Sequence, residues 1–356
     1  MSNPDVLTID EALARLPHFS DILDARSPAE FALDHLPGAI SAPVLNDQER
    51  ATVGTLYKQQ SGFHAKRVGA VLVARNIANL IEHSFADRPR DWSPLIYCWR
   101  GGNRSGALAT VLSRVGWRVS LLEGGYKAFR NRVISELETL PQPLRLIVIA
   151  GRTGSAKSLL LQSLSRQGAQ VLDLEALACH RGSVLGRMPD ETQPGQRRFE
   201  TLLWNALRGF DARRPVYVES ESRRIGTCHL PEALMQTIRS SPCIVLHASV
   251  ESRAQLLLAE YRHFLADPGR LDEQLQRLIE LHGRETIAEW RALLAGGQWG
   301  ELVSRLLVEH YDPAYDRSMS RNFSRLGEAP IVELNPSDPN ERDAIARSLL
   351  AGSAQA

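Results

Sequence analysis

Cysteine is scarce and scattered. Only four occur in 356 residues, Cys98, Cys179, Cys228 and Cys243. None forms a CxxC pair, so the spacing of a zinc site or of a disulfide framework is missing, and in a reducing compartment all four should be free thiols. No apolar run approaches the ~18–20 residues that span a bilayer. The opening residues, MSNPDVLTIDEAL, lack the basic-then-apolar order of a secretion signal, so a cytoplasmic protein with no membrane partner is expected. Repeats and low-complexity segments are also missing. Net charge is only +1, so the total does not mark a nucleic-acid binder. Locally, seven basic residues (Arg100, Arg104, Arg114, Arg118, Lys127, Arg130, Arg132) stand against one acid, Glu123, between 100 and 132. Such a patch can meet phosphate or simply solvate helix faces.

What is present is ordinary globular material, in a chain long for one core and comfortable for two domains. Residues 1–138 alternate short apolar runs at 22–25, 39–42, 95–98 and 119–122 with helical spacing at 66–83 and 104–115, which favours an α/β sheet. Pro141 and Pro143 mark a linker at 140–144. Within 139–356 the pattern restarts with LRLIVIA at 144–150, a continuous apolar run suited to a strand buried on both faces. Further strands are expected at 170–174, 215–219, 243–247 and 331–334, with a long helical insertion over about 251–309. That insertion offers an RNA or lid surface, or only solvated charge.

The string LIYCWRGGNRSG, residues 95–106, carries the most chemistry. An apolar strand delivers Cys98. Gly101 and Gly102 allow a tight turn, and Arg104 and Ser105 open a helix. Backbone N–H groups in such a loop, running from Trp99 through Asn103, converge on one point, and the helix dipole adds positive potential. Arg100 and Arg104 supply more. A thiol there should be a thiolate at neutral pH, and the same cradle can hold a tetrahedral oxyanion or a persulfide or perselenide. The other three cysteines fit the plainer reading of a buried, inert thiol.

Directly after LRLIVIA comes Gly151, Arg152, Thr153, Gly154, Ser155, Ala156, Lys157 and Ser158. This resembles the Walker A pattern, with a strand before and a helix after. Backbone amides would cradle a di- or triphosphate, Lys157 would neutralise it, and Ser158 could hold Mg²⁺. Ala156 stands where the pattern has glycine. If that position needs positive φ the alanine is strained, and if its dihedrals are ordinary it is harmless. Glu219, ending an apolar strand, is similar to a Walker B acid, with Glu221, Arg223 and Arg224 close behind. Asp173 and Glu175 are placed like it after the second strand, though less specifically. His180 and Arg181 lie where kinase-like P-loop domains keep substrate loops.

DARSPAEF (24–31), HLPGAI (35–40), the Cys98 loop and LEGGYK (122–127) resemble successive rhodanese signatures. Five residues separate Cys98 from Arg104 where ordinary rhodanese loops have four, a spacing similar to cysteine phosphatases and suited to a larger anion. The strings YCWRGGNRSG, LEGGYKAFRN, GRTGSAKS, LDLEALACHRGS and VESESRRIG together resemble the tRNA 2-selenouridine synthase family over about residues 10–315. The resemblance implies an α/β rhodanese-like domain at 1–138 and a P-loop (kinase-like) parallel-sheet domain at 139–356. It implies a transferase that converts wobble 2-thiouridine to 2-selenouridine in tRNAs for Lys, Glu and Gln. S-geranylation from geranyl diphosphate would come first, then displacement by selenium from selenophosphate carried on Cys98, with Arg104 holding the phosphate. Ser158 and Glu219 would share any Mg²⁺, no tightly bound cofactor is expected, and Trp99 could stack on the extruded base. Other readings stay open: a phosphatase–kinase fusion, a sulfurtransferase with an ATP-activating domain, or an RNA-binding module with a decayed P-loop.

Overall fold

The computed structural model describes residues 3–181, 192–261 and 267–353. The chain divides into two compact units: Met1–Glu136 with Arg197–Asn205, and Leu137–Gln196 with Ala206–Ala356. A cut at 138/139 therefore leaves out one return of the chain to the first unit.

The first unit runs β1 (Asp5–Leu7), α1 (Ile9–Ala14), β2 (Asp21–Asp24), α2 (Pro28–Leu33), β3 (Ala39–Ser41), α3 (Asp47–Gln59), α4 (Gly62–Asn79), β4 (Pro94–Tyr97), α5 (Asn103–Val115), β5 (Ser120–Leu122) and α6 (Gly125–Leu137). Its five strands are all parallel, in the order β1-β5-β4-β2-β3. β4 is central and buried at every position, which is why it reads as an unbroken apolar run. Capping boxes fix the starts of the short helices: Thr8 with Glu11, Ser27 with Glu30 and Asn46 with Glu49.

The second unit begins with β6 (Arg145–Gly151), α7 (Lys157–Arg166), β7 (Gln170–Leu172) and α8 (Leu174–Ala178). Helix α9 (Gln196–Arg208) follows, most of it belonging to the first unit. There Phe199 is fully buried, Thr201 Oγ1 donates to Asp34 Oδ2 at 2.9 Å, and Trp204 Nε1 donates to Glu136 at 2.8 Å. The chain goes on with β8 (Pro215–Glu219), the small hairpin β9 (Arg224–Ile225) and β10 (Cys228–His229), α10 (Glu232–Ser240), β11 (Cys243–His247) and α11 (Val250–Glu260). The main sheet is again parallel, in the order β12-β11-β6-β8-β7 with β6 central, β12 being Ile331–Glu333.

The expected helical insertion is several helices, not one. α12 (Pro268–Gln276), α13 (Ile279–Ala295) and α14 (Trp299–Arg305) gather their own apolar cluster around fully buried Trp290. Gly283, at φ 81° and ψ 165°, breaks the run inside α13. Then come α15 (Asp312–Asn322) and, after β12, α16 (Pro339–Ser353), which packs on α7. Among the described residues no helix is long and apolar enough to cross a membrane.

Candidate functional site

Each sheet ends its central strand in a loop that gathers backbone N–H groups, and the chemistry sits in those two loops. The first begins where β4 releases Cys98. The residue is only 3% exposed, yet its sulfur is not sealed in hydrocarbon. It lines a cavity of about 1060 Å³, and Ser105 Oγ donates to it at 3.1 Å. Burial pushes the thiol up, but the Ser105 hydroxyl and the backbone N–H groups of Ser105, Arg100 and Gly102 outweigh it, so Cys98 ends below its ordinary value. The two other fully buried thiols behave oppositely, Cys228 and Cys243 both being raised by burial. Cys179 sits in the left-handed region at φ 48°.

The loop keeps its shape because glycines stand where nothing else fits. Gly101 has φ 68°. A Cβ on Gly125 would come within 2.2 Å of the Cys98 carbonyl oxygen and 2.6 Å of Gly101 N. The LEGGYK string is thus the back wall of the cysteine loop: Tyr126 N–H donates to the Cys98 carbonyl at 2.8 Å, and Lys127 N–H to that of Trp99 at 3.0 Å. Trp99 leans on Tyr126 with ring centroids 5.4 Å apart and stays partly exposed. Gly102 and Asn103 start α5 with no side-chain cap, which leaves that N-terminus free to face an anion.

Arg104 lines the same cavity and is also held from the side. Its guanidinium is turned to Glu30, at 2.6 and 3.4 Å. Burial raises the Glu30 carboxyl, but the hydrogen bond and charge of Arg104 more than reverse this. The arginine therefore fastens α2 to α5, while Ser105 and the loop amides hold charge at the sulfur. Arg100 lines the cavity.

The second loop leaves β6. Gly151 and Gly154 take φ 155° and 82°, and Ala156 takes φ 63° and ψ 29°. Position 156 is therefore one that favours glycine, and alanine bears a left-handed strain there of order 1–2 kcal/mol. Lys157 Nζ donates to the Gly151 carbonyl at 2.7 Å, and Ser158 Oγ to Glu175 Oε2 at 2.9 Å. Ser155 Oγ is buried without a partner. Tyr315 lies across the loop: its hydroxyl accepts from Gly151 N at 2.6 Å and shares a 3.0 Å hydrogen bond with Ser220. Arg152 is paired with Asp316 at 2.7 Å, and Arg253, paired with Asp312, donates to the Thr153 carbonyl at 3.1 Å. The aligned backbone and Lys157 remain a fitting phosphate cradle.

Carboxyls crowd this loop. Glu219 is fully buried, with Oε1 accepting from Glu175 N at 2.8 Å and Oε2 without a partner. Burial and the charges of Asp173, Glu175 and Glu221 push it well above the carboxylate range. Burial also raises Glu175 and Asp173, and it takes Glu221 to about 8. Ser158, Glu175 and Glu221 line a cleft of about 410 Å³ and Glu219 does not. Among the described residues no group of three or more His, Cys, Asp or Glu is spaced to hold a metal by itself. An all-oxygen set of one hydroxyl and two carboxyls nonetheless suits Mg²⁺, which completes its shell with phosphate and water.

Of the other sequence-marked residues, Asp173 caps α8 through Ala176 N at 2.8 Å. Burial pushes His180 below the ordinary imidazole value. Arg181 lines the cleft, paired with Glu260 at 3.5 Å and stacked over Tyr261. Gly182 and Ser183, which end the LDLEALACHRGS string, lie outside the described residues. Arg223 and Arg224 are exposed beside the β9–β10 hairpin, Arg223 on Glu232 and Arg224 on the Gly226 carbonyl, and neither lines the cleft. Glu175, marked in the sequence beside Asp173, takes the Ser158 hydroxyl, and Tyr315 is the residue that the sequence did not suggest. Tyr315 had no signal, since it sits 164 residues from the glycine it covers.

Known families match both units. The model of the rhodanese-like domain covers residues 8–132, and that of the tRNA 2-selenouridine synthase AAA domain covers 144–295. A tRNA 2-selenouridine synthase of Alcanivorax borkumensis is 35% identical over 84% of this chain and 90% of its own. One from Sulfurovum sp. is 31% identical over 88% and 93%, and one from Nitrosomonas europaea is 37% identical over 73% and 68%. With both domains present in the same order and relatives matched along most of their length, the chain belongs to the tRNA 2-selenouridine synthase family.

Proposed function

We propose that this enzyme replaces the sulfur of wobble 2-thiouridine by selenium in tRNAs for Lys, Glu and Gln, in two transfers drawing on geranyl diphosphate and selenophosphate. The observation that carries this reading is Cys98, a thiol held below its ordinary value by converging N–H and O–H donors in the wall of a large cavity. Such a sulfur is built to attack carbon or to bear a chalcogen.

The first transfer belongs to the P-loop. The sulfur of 2-thiouridine attacks C1 of the geranyl group, the C–O bond breaks, diphosphate departs with the electron pair, and the N3 proton passes to solvent. Lys157 and the loop amides stabilise the departing charge. Ser158, Glu175 and Glu221 would hold Mg²⁺, which supplies further positive charge when bound. The cleft runs on to Leu256, Leu257, Met319 and Phe323, walls better matched to a terpene tail than to a sugar.

The second transfer belongs to Cys98. Selenium has the same oxidation level in selenophosphate and in 2-selenouridine, whereas a perselenide on Cys98 stands two electrons higher. The balanced route lets the thiolate itself add to C2, with geranylthiolate leaving. Selenium of selenophosphate then displaces Cys98 from C2, and water splits the Se–P bond to release phosphate and the selenated base.

Mass spectrometry of tRNA nucleosides tests this, with geranyl diphosphate and selenophosphate supplied singly and together. Cys98→Ala should still make the S-geranyl nucleoside and no selenouridine. Equal loss of both products would refute the division of labour.

A further inference from the structure

The cavity at Cys98 is far larger than a chalcogen atom and its phosphate donor require. At about 1060 Å³ it matches pockets that enclose whole small molecules, of order 300–1000 Å³. Its space comes from the α3–α4 hairpin laid beside the cysteine loop. Val53, Ala65, Ala70 and Val73 line it from the hairpin, Ala107 lines it from α5, and Cys98 lines it from the end of β4. Four of these are small or branched apolar side chains on facing helices, so this stretch of the wall is apolar. Tyr57, which also lines it, is 63% exposed, a large apolar surface left for something other than this chain.

The charged lining has one sign. Arg50, Lys58, Lys66, Arg100 and Arg104 contribute to it, and no carboxylate does. Arg104 is engaged by Glu30, and Arg50 reaches the same carboxylate at 3.8 Å. The ligand therefore combines a bulky apolar portion with an anionic frame. A bare sulfane donor lacks the first, and a free lipid chain lacks the second.

We infer that this cavity seats the geranyl arm of the S-geranylated nucleotide while its C2 faces Cys98, with the flanking phosphates on the hairpin cations. The inference rests on the two-transfer reading and adds to it a means of choosing: the alkylated base is gripped by the arm that marks it, and an unalkylated base finds no purchase. The arm leaves as geranylthiol, and its apolar seat is the same before and after the C–S bond breaks.

The test is binding, read on the full chain bearing Cys98→Ser so that nothing turns over. Calorimetry compares S-geranyl-2-thiouridine with S-methyl-2-thiouridine. The geranyl nucleoside should bind roughly 100-fold more tightly, even after most of the transfer free energy of its ten carbons is discounted. Ala70→Trp, at an exposed wall position, and Val53→Trp, on the facing helix, should each cut that preference to a few-fold. In enzyme that keeps Cys98, they should leave geranyl transfer at the P-loop unchanged. Equal affinity for the two nucleosides, or a preference that survives both fillings, overturns the subsite. Failure of the parent reading has a different signature, selenation that persists without Cys98, so the two cannot be confused.

Discussion

The cysteine loop and the P-loop leave equivalent places, the carboxyl end of the central strand in a five-stranded parallel sheet, and each turns backbone N–H groups toward an anion. They differ in how they treat charge. At Cys98 the donors win over burial and the thiol is held toward its anion. Around Ser158 burial and mutual repulsion win, and the carboxyls of Glu175, Glu219 and Glu221 are held toward their protonated forms. One loop stores a nucleophile. The other keeps its own negative charge suppressed. On the proposed reading, the same backbone device serves attack in one unit and departure in the other.

Removing the charge of the second loop is the strongest way to separate them. Lys157→Ala should lower geranyl transfer by about 10²–10³-fold, the usual cost of losing one preorganised donor to a developing anion. Selenation of tRNA supplied already geranylated should stay near normal. Parallel loss of both would mean that the loops are not functionally distinct. The next effect is on structure. Gly125→Ala puts a methyl group within 2.2 Å of the Cys98 carbonyl at φ 56°, and should cost about 2–4 kcal/mol in a denaturant titration. Gly154→Ala meets the Cβ and the carbonyl oxygen of Arg253, each at 3.1 Å, with φ of 82°, and should cost less, because that approach is only a few tenths of an ångström too close whereas 2.2 Å is a hard overlap.

The two loops were legible in sequence for a simple reason. Strands buried on both faces must be continuously apolar, so β4, β6 and β8 announced themselves, as did the glycine-rich turns after the first two. What escaped was whatever depends on distant partners. Glu30 lies 74 residues from Arg104, and no local pattern says that it will claim the arginine expected to hold phosphate. β1 has three residues, two of them exposed, too short for a period to show. Helix α9 carries Thr201 and Trp204 to partners 167 and 68 residues away, so a reader who cuts the chain once assigns it to its neighbours in sequence. Ala156 was half legible: the string showed the missing glycine, but only the backbone angle decided between strain and indifference.

Titration should show the opposite charge handling directly. Glu219 has its folded pKa raised, so the folded state holds a proton that the unfolded chain gives up once pH exceeds the ordinary carboxylate range. Its contribution is fully present below that range and is lost as pH rises through the folded value. Thermal stability should therefore decline as pH rises above the ordinary carboxylate range, and Glu219→Gln should flatten the slope; an unchanged slope would place the proton elsewhere. Cys98 has the reverse sign. Its labelling by iodoacetamide, followed by peptide mass spectrometry, should reach half-maximal rate below the pH of an ordinary thiol. Ser105→Ala should move that midpoint upward, since it removes the largest of the influences that lower it.

The smallest effect concerns the one position where the two loops use different residue types for the same backbone task. Gly101 reaches φ 68° at no steric cost, while Ala156 reaches φ 63° against the clash of its own Cβ. Ala156→Gly relieves that clash and also gives the unfolded chain more freedom, so the two changes partly cancel. The alanine methyl is buried, 6% exposed, and packs in the core with Leu160 and Ile149, which takes back a little more. A net gain of about 0.5–1 kcal/mol is expected by chemical denaturation, with geranyl transfer changed less than threefold. A loss of stability would mean that the methyl's packing outweighs its strain, and that alanine here is an adaptation of the phosphate loop to its apolar floor.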